Sequence, residues 1–261
     1  MSDITITLIQ THLHWEDAEA NKKHFESLFK KIEKQTDLII LPEMFTTGFT
    51  MNSELHFETM EGDSIKWMKI HAQKLNIHIV GSLILKDNNL FYNRLIVAYP
   101  DGRIDYYDKR HLFRMANEHQ HFAPGKKKLT INIKGWNITP LVCYDLRFPV
   151  WSRNRDNNTD IYLYIANWPE ARSNAWKTLL KARAIENLSY VVGVNRIGKD
   201  GKQITYTGNS AFIDYKGDYM HEAKPNEEEI VTATLSKSSL LAFRDKFPAH
   251  LDADSFKLIS N

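Results

Sequence analysis

The stretch DLIILP at positions 37–42 sets four consecutive apolar residues between an aspartate and a proline. A run this short, with no polar residue at alternate positions, suits a strand buried on both faces, and such a strand needs a covering layer above and below its sheet. The flanking sequence indicates what the cover is. Residues 4–9 alternate in the manner of a β-branched strand, and Phe25, Leu28, Phe29 and Ile32 then recur at the spacing of one helical face. Ile65, Met68, Ala72 and Leu75 repeat that stripe after the apolar run. Two β-α units in succession predict an α/β fold.

Strand patterns then dominate. Residues 77–85 read as a strand, 91–108 as a hairpin turning at Pro100-Asp101-Gly102, and a second hairpin turns at Lys134-Gly135. Strands are predicted over 138–142, 161–166, 190–195 and 230–235, with a helix over 176–187 whose Trp176, Leu179, Leu180 and Ala184 form a core stripe. No linker, repeat or low-complexity segment divides the chain. Residues 1–261 are therefore expected to form a single domain, with a less regular C-terminal arm from about 237.

Charge narrows the partners. With 34 basic and 32 acidic residues the formal charge is +2, which predicts neither nucleic acid nor an anionic membrane surface as partner and favours a small neutral or singly charged molecule. The opening MSDITITLIQ lacks the basic and long apolar segments of a secretion signal, no stretch reaches the length of a bilayer span, and one cysteine cannot form an internal disulfide. A cytoplasmic location is expected.

Three residues stand where chemistry is often placed. Cys143, the single thiol, follows the strand over 138–142 and is either a small buried hydrophobe or a nucleophile needing a base and oxyanion donors. Glu43 follows the apolar run, where an α/β sheet presents side chains to a cleft, and is otherwise a turn or cap carboxylate. Lys109 sits among aromatic and apolar neighbours after the first hairpin, and is otherwise a surface lysine with its stem lying along the protein. Glu118, His119 and His121 share a face in part if extended, but no second cluster at ligand spacing exists, so no metal is expected. With no GxGxxG and no phosphate-cradling loop, no cofactor is expected either.

Taken together, LPEMF, YDKRHLF and LVCYDLRFP resemble the nitrilase superfamily, the carbon-nitrogen hydrolases with a Glu-Lys-Cys triad, over most of the chain. CYDLRFP, IANWPEAR, KARAIENLSYVVGVNRIG and KFPAHLDADSF are similar to its bacterial omega-amidase branch. The resemblance implies a four-layer αββα sandwich, a homodimer joined through its outer faces, and hydrolysis of 2-oxo acid amides such as 2-oxoglutaramate and 2-oxosuccinamate through a cysteine thioester. It makes Cys143 the nucleophile, Glu43 the general base, and Lys109 with the Tyr144 backbone N–H the oxyanion donors. It gives Glu118 a supporting role, Arg147 the task of holding the substrate carboxylate, and Trp168 the aromatic wall of the pocket, where many relatives carry Phe. An N-carbamoyl-amine amidohydrolase, an acyltransferase and a non-catalytic binding protein are the alternatives.

Overall fold

Alternation along the first strand already separates two layers. In the computed structural model, which describes residues 2–258, the chain runs β1 (Ile4–Gln10), α1 (Ala18–Phe29), β2 (Leu38–Ile40), α2 (Ser53–His56), α3 (Asp63–Leu75), β3 (His78–Asp87), β4 (Leu90–Ala98) and β5 (Ile104–Asp108). It continues through α4 (Glu118–His121), β6 (Ile131–Ile133), β7 (Trp136–Val142), β8 (Ile161–Ala166), α5 (Ser173–Asn187) and β9 (Tyr190–Asn195). The strands β10 (Ile197–Lys199), β11 (Thr205–Thr207), β12 (Ala211–Ile213), β13 (Tyr219–Glu222) and β14 (Glu229–Leu235) precede a final helix, α6 (Lys237–Lys246).

Two six-stranded sheets result, in the orders β14-β1-β2-β3-β4-β5 and β13-β12-β9-β8-β7-β6, with β10 and β11 pairing apart from them. Each large sheet has three parallel strands at its middle, β1-β2-β3 and β7-β8-β9, and antiparallel strands outside. Ile4, Ile6, Leu8, Leu38, Ile40 and Val80 join residues of β7, β8 and β9 in one buried cluster, and β1 packs against β9 as β4 does against β7. Ile9, Ile39 and Ile79 point the other way, onto Phe25 and Leu28 of α1 and Met68 and Ala72 of α3. On the second sheet α5 lies over β9. A side chain at Gly193 would bring its Cβ to 2.6 Å from Leu180 Cδ1 and 2.9 Å from Trp176, so the close seating of α5 on β9 needs glycine there. The layers are helix, sheet, sheet, helix, as the resemblance implies.

Three local differences have physical causes. The ladder of β2 covers only Leu38–Ile40, because Pro42 has no amide to extend it and Glu43 turns away. Residues 118–121 form the short helix α4 instead of an extended segment, so Glu118 and His119 do not share a strand face with His121. The strands β10 to β13 have no counterpart in the sequence reading, being three or four residues long and too short for periodicity to show. At the C-terminal end, α6 buries Leu240 and Arg244, the latter binding Asp160 at 3.0 Å, and residues beyond it are largely exposed.

Candidate active site

Glu43, Lys109, Glu118 and Cys143 come from four separated segments and meet in the buried interior. Glu43 leaves β2 through Pro42, and the next residue, Met44, adopts a φ of 45° with its amide donating to Ser82 Oγ at 2.8 Å. That bend aims the fully buried Glu43 carboxylate inward. Lys109 follows β5, its main chain tied to the Asn93 carbonyl and the Gly125 amide at 3.0 and 2.9 Å. Its Nζ donates to Glu43 Oε1 at 2.9 Å and to both Glu118 oxygens at 2.9 and 3.0 Å.

The carboxylates are held on their other sides too. Asn93 Nδ2 donates to Glu43 Oε1 at 2.8 Å, the Asn167 amide donates to Glu43 Oε2 at 2.8 Å, and the Phe113 amide donates to Glu118 Oε2 at 2.6 Å. One cation thus faces two carboxylates in a site closed to solvent. Burial raises the Glu118 pKa, opposed by Lys109 and reinforced by Glu43. Burial by itself would lower the Lys109 pKa, but the Glu118 and Glu43 charges overcome it and hold the ammonium protonated.

Cys143 opens a turn of 3-10 helix after β7 and has a φ of 46°, a left-handed conformation that costs a non-glycine residue on the order of 1–3 kcal/mol. Asp145 braces that turn from beneath. Fully buried, it accepts from the Val142 amide at 3.0 Å, the Tyr107 hydroxyl at 2.8 Å, the His111 amide at 3.0 Å and His111 Nδ1 at 2.7 Å. The thiol is 8% exposed, on the wall of a cavity, and Sγ donates weakly to the Asn167 carbonyl at 3.9 Å. Burial pushes its pKa well up, with the Glu43 charge adding to the rise and Lys109 opposing it. At neutral pH the group is a thiol. Tyr144 is the next residue, in the first turn of the same short helix, where backbone amides have no acceptor within the helix.

The cavity beyond the thiol holds about 70 Å³ and is lined by Phe49, Phe113, Tyr144, Arg147, Trp168 and Arg172 among others. The Arg147 guanidinium lies 5.0 Å from the centre of the Trp168 ring, and that of Arg172 lies 5.1 Å from the Phe113 ring. Among the described residues neither arginine forms an ion pair. Asp145, two residues before Arg147, is taken up by other donors and does not pair with it. All seven residues singled out from the sequence therefore converge here. Sequence reasoning missed Asn93, Asp145, Asn167 and Arg172, although the last two stand in IANWPEAR beside Trp168.

Residues 5–245 match the model of the carbon-nitrogen hydrolase family. The chain belongs to the carbon-nitrogen hydrolase family. This carbon-nitrogen hydrolase is 47% identical to omega-amidase YafV of Yersinia enterocolitica over 99% of its own length and all of the relative's. It is 33% identical to the 2-oxoglutaramate amidase of Bacillus subtilis, over 95% of this chain and 96% of that one. A solved superfamily protein from Xanthomonas campestris, with an arsenic adduct in its active site, superposes with a TM-score of 0.96 at 46% identity, covering 99% of this chain and 100% of the other. Nit3 of Saccharomyces cerevisiae, a nitrilase superfamily member, aligns with a TM-score of 0.82 at 26% identity and 94% coverage of both chains. The fold expected from the resemblance is the one observed.

Proposed function

We propose that this carbon-nitrogen hydrolase is an omega-amidase, converting the terminal amide of 2-oxo acid amides such as 2-oxoglutaramate and 2-oxosuccinamate to the dicarboxylate and ammonia. The observation that carries the reading is a thiol and an unpaired arginine on one small cavity, Cys143 at one wall and Arg147 at another. A planar guanidinium takes a carboxylate through two parallel N–H bonds, so an acid held there sets its far end at a fixed distance from sulfur. The names of the relatives from Yersinia and Bacillus agree with that chemistry.

The reaction follows from the charges in the site. As Sγ of Cys143 attacks the amide carbon, its proton passes to Glu43, which makes the sulfur nucleophilic without a free thiolate in a dry site. The carbonyl oxygen becomes an oxyanion facing the Lys109 ammonium and the Tyr144 N–H. Collapse breaks the carbon-nitrogen bond, and the proton on Glu43 leaves with the nitrogen as ammonia. The acyl group remains on sulfur as a thioester. Water then gives a proton to Glu43 and attacks the thioester, and return of that proton to sulfur frees the acid and the thiol. Glu118 holds Lys109 in place and supports the site without touching the reacting carbon. The scheme uses no metal and no cofactor.

The enzyme acts in the cytoplasm as a homodimer joined through its outer layers; none of the described helices is long and apolar enough to cross a membrane. Light scattering on the purified protein tests the dimer. The activity is tested by ammonia release from amides of equal length with and without a free carboxylate. Preference for the 2-oxo acid amides supports the reading, and carbon dioxide release from N-carbamoyl amines without amide turnover overturns it.

A further inference from the structure

Away from the thiol cavity, two histidines and a glutamate meet where three elements converge. His12 follows the end of β1, His24 projects from α1, and Glu228 immediately precedes β14. Because β1 and β14 pair with Gln10 opposite Glu229, the residues just past those strand ends are neighbours, and α1 packs over them. Glu228 Oε2 lies 3.0 Å from His24 Nε2 and 3.8 Å from His12 Nδ1, and the three donor atoms lie within 4.8 Å of one another. None of these residues lines the thiol cavity.

We propose that His12, His24 and Glu228 bind a divalent metal ion of the zinc type, which clips α1 to the ends of β1 and β14. Two imidazoles and one carboxylate are a donor set that zinc uses, with a water completing the shell. At metal–ligand distances near 2.0–2.2 Å, a tetrahedral site has ligand–ligand edges of about 3.3–3.6 Å. The two edges to Glu228 bracket that length. A small rotation of His12, whose side chain is the most exposed of the three, closes the remaining edge.

The Oε2 side of Glu228 suits a cation. Neutral imidazole is the form that ligates metals. In this structure His24 Nε2 donates to Thr11 Oγ1 at 2.7 Å, so binding the ion replaces that contact and moves the His24 proton to Nδ1. Thr11 Oγ1 donates to Glu228 Oε2 at 2.6 Å and orients it, the outer-shell support that metal carboxylates commonly have. Lys31 approaches the other oxygen, Oε1, at 3.7 Å, so the ion takes the Oε2 side.

The test is calorimetric titration of zinc into the full-length Cys143→Ala protein, freed of metal by chelation, because the native thiol is itself a zinc ligand. One zinc per chain is expected, with a melting temperature that rises to a plateau as zinc is added. Glu228→Gln and His24→Gln in that background should abolish binding while melting as the parent does in chelator. Thr11→Val should weaken binding about 10–100-fold. If His24→Gln does not fold, His12→Gln, on the more exposed ring, makes the same test. No zinc bound by Cys143→Ala, or an affinity in His12→Gln and Glu228→Gln unchanged from that parent, overturns the site.

Discussion

Lys109 Nζ stands 2.9 Å from Glu43 Oε1 with both side chains wholly excluded from solvent. A buried pair of this kind gains little net stability, since desolvation consumes most of the attraction. Its use lies in what each group does to charge that appears later. Lys109→Ala should lower turnover strongly and also disturb the site, because it leaves Glu43 and Glu118 unpaired in a dry interior. Glu43→Gln keeps the shape. It removes a negative charge that raises the thiol pKa, but it also removes the proton acceptor, and while the thiol is protonated the second effect prevails. Glu43→Gln should therefore react with iodoacetamide more slowly than wild type near neutral pH; equal rates would contradict the base role.

Cys143→Ala and Cys143→Ser should abolish turnover and leave melting nearly unchanged, since the volume change is small. Burial, aided by Glu43, raises the pKa of the wild-type thiol, so more thiolate forms only as pH rises above the usual cysteine range. Alkylation of the free enzyme should accordingly keep accelerating into alkaline solution. A plateau reached below neutrality would show a preformed thiolate. Mass spectrometry with a slow substrate should find an acyl group on Cys143.

Asp145→Asn tests the brace beneath the nucleophile. The amide nitrogen of asparagine would face at least one of the N–H and O–H donors that now point at the carboxylate. A lost charge-assisted bond and an unsatisfied buried donor cost on the order of 3 kcal/mol, without any contact to substrate. Denaturant unfolding should show that loss together with a lower kcat, because the strained Cys143 backbone would be freed. An unchanged midpoint of unfolding would place the support of the turn elsewhere.

The triad positions were legible because each ends a segment with a plain pattern: an apolar run closed by Pro42, a hairpin ended at Lys109, a β-branched strand delivering Cys143. The residues that hold them were not. Asp145 is met by Tyr107 from 38 positions away and Glu43 by Asn167 from 124, and local periodicity carries no trace of such pairings. Glu118 was found through resemblance, since a helix of four residues has no repeat to read. Arg172 reaches the cavity from a single turn of 3-10 helix and would have looked like any exposed arginine.

Arg147 tests the omega-amidase reading most directly. A carboxylate bound on its guanidinium orients the amide carbon toward sulfur, so removing it should lower kcat as well as raise KM. The measurement is kcat/KM of wild type and Arg147→Ala on 2-oxoglutaramate and on a neutral amide of equal length. The expected loss is greater on the acid by about 2–5 kcal/mol, the range for truncating one partner of a buried charge pair. Equal losses on the charged and neutral amides would show that Arg147 does not hold the carboxylate and would contradict the account of substrate choice.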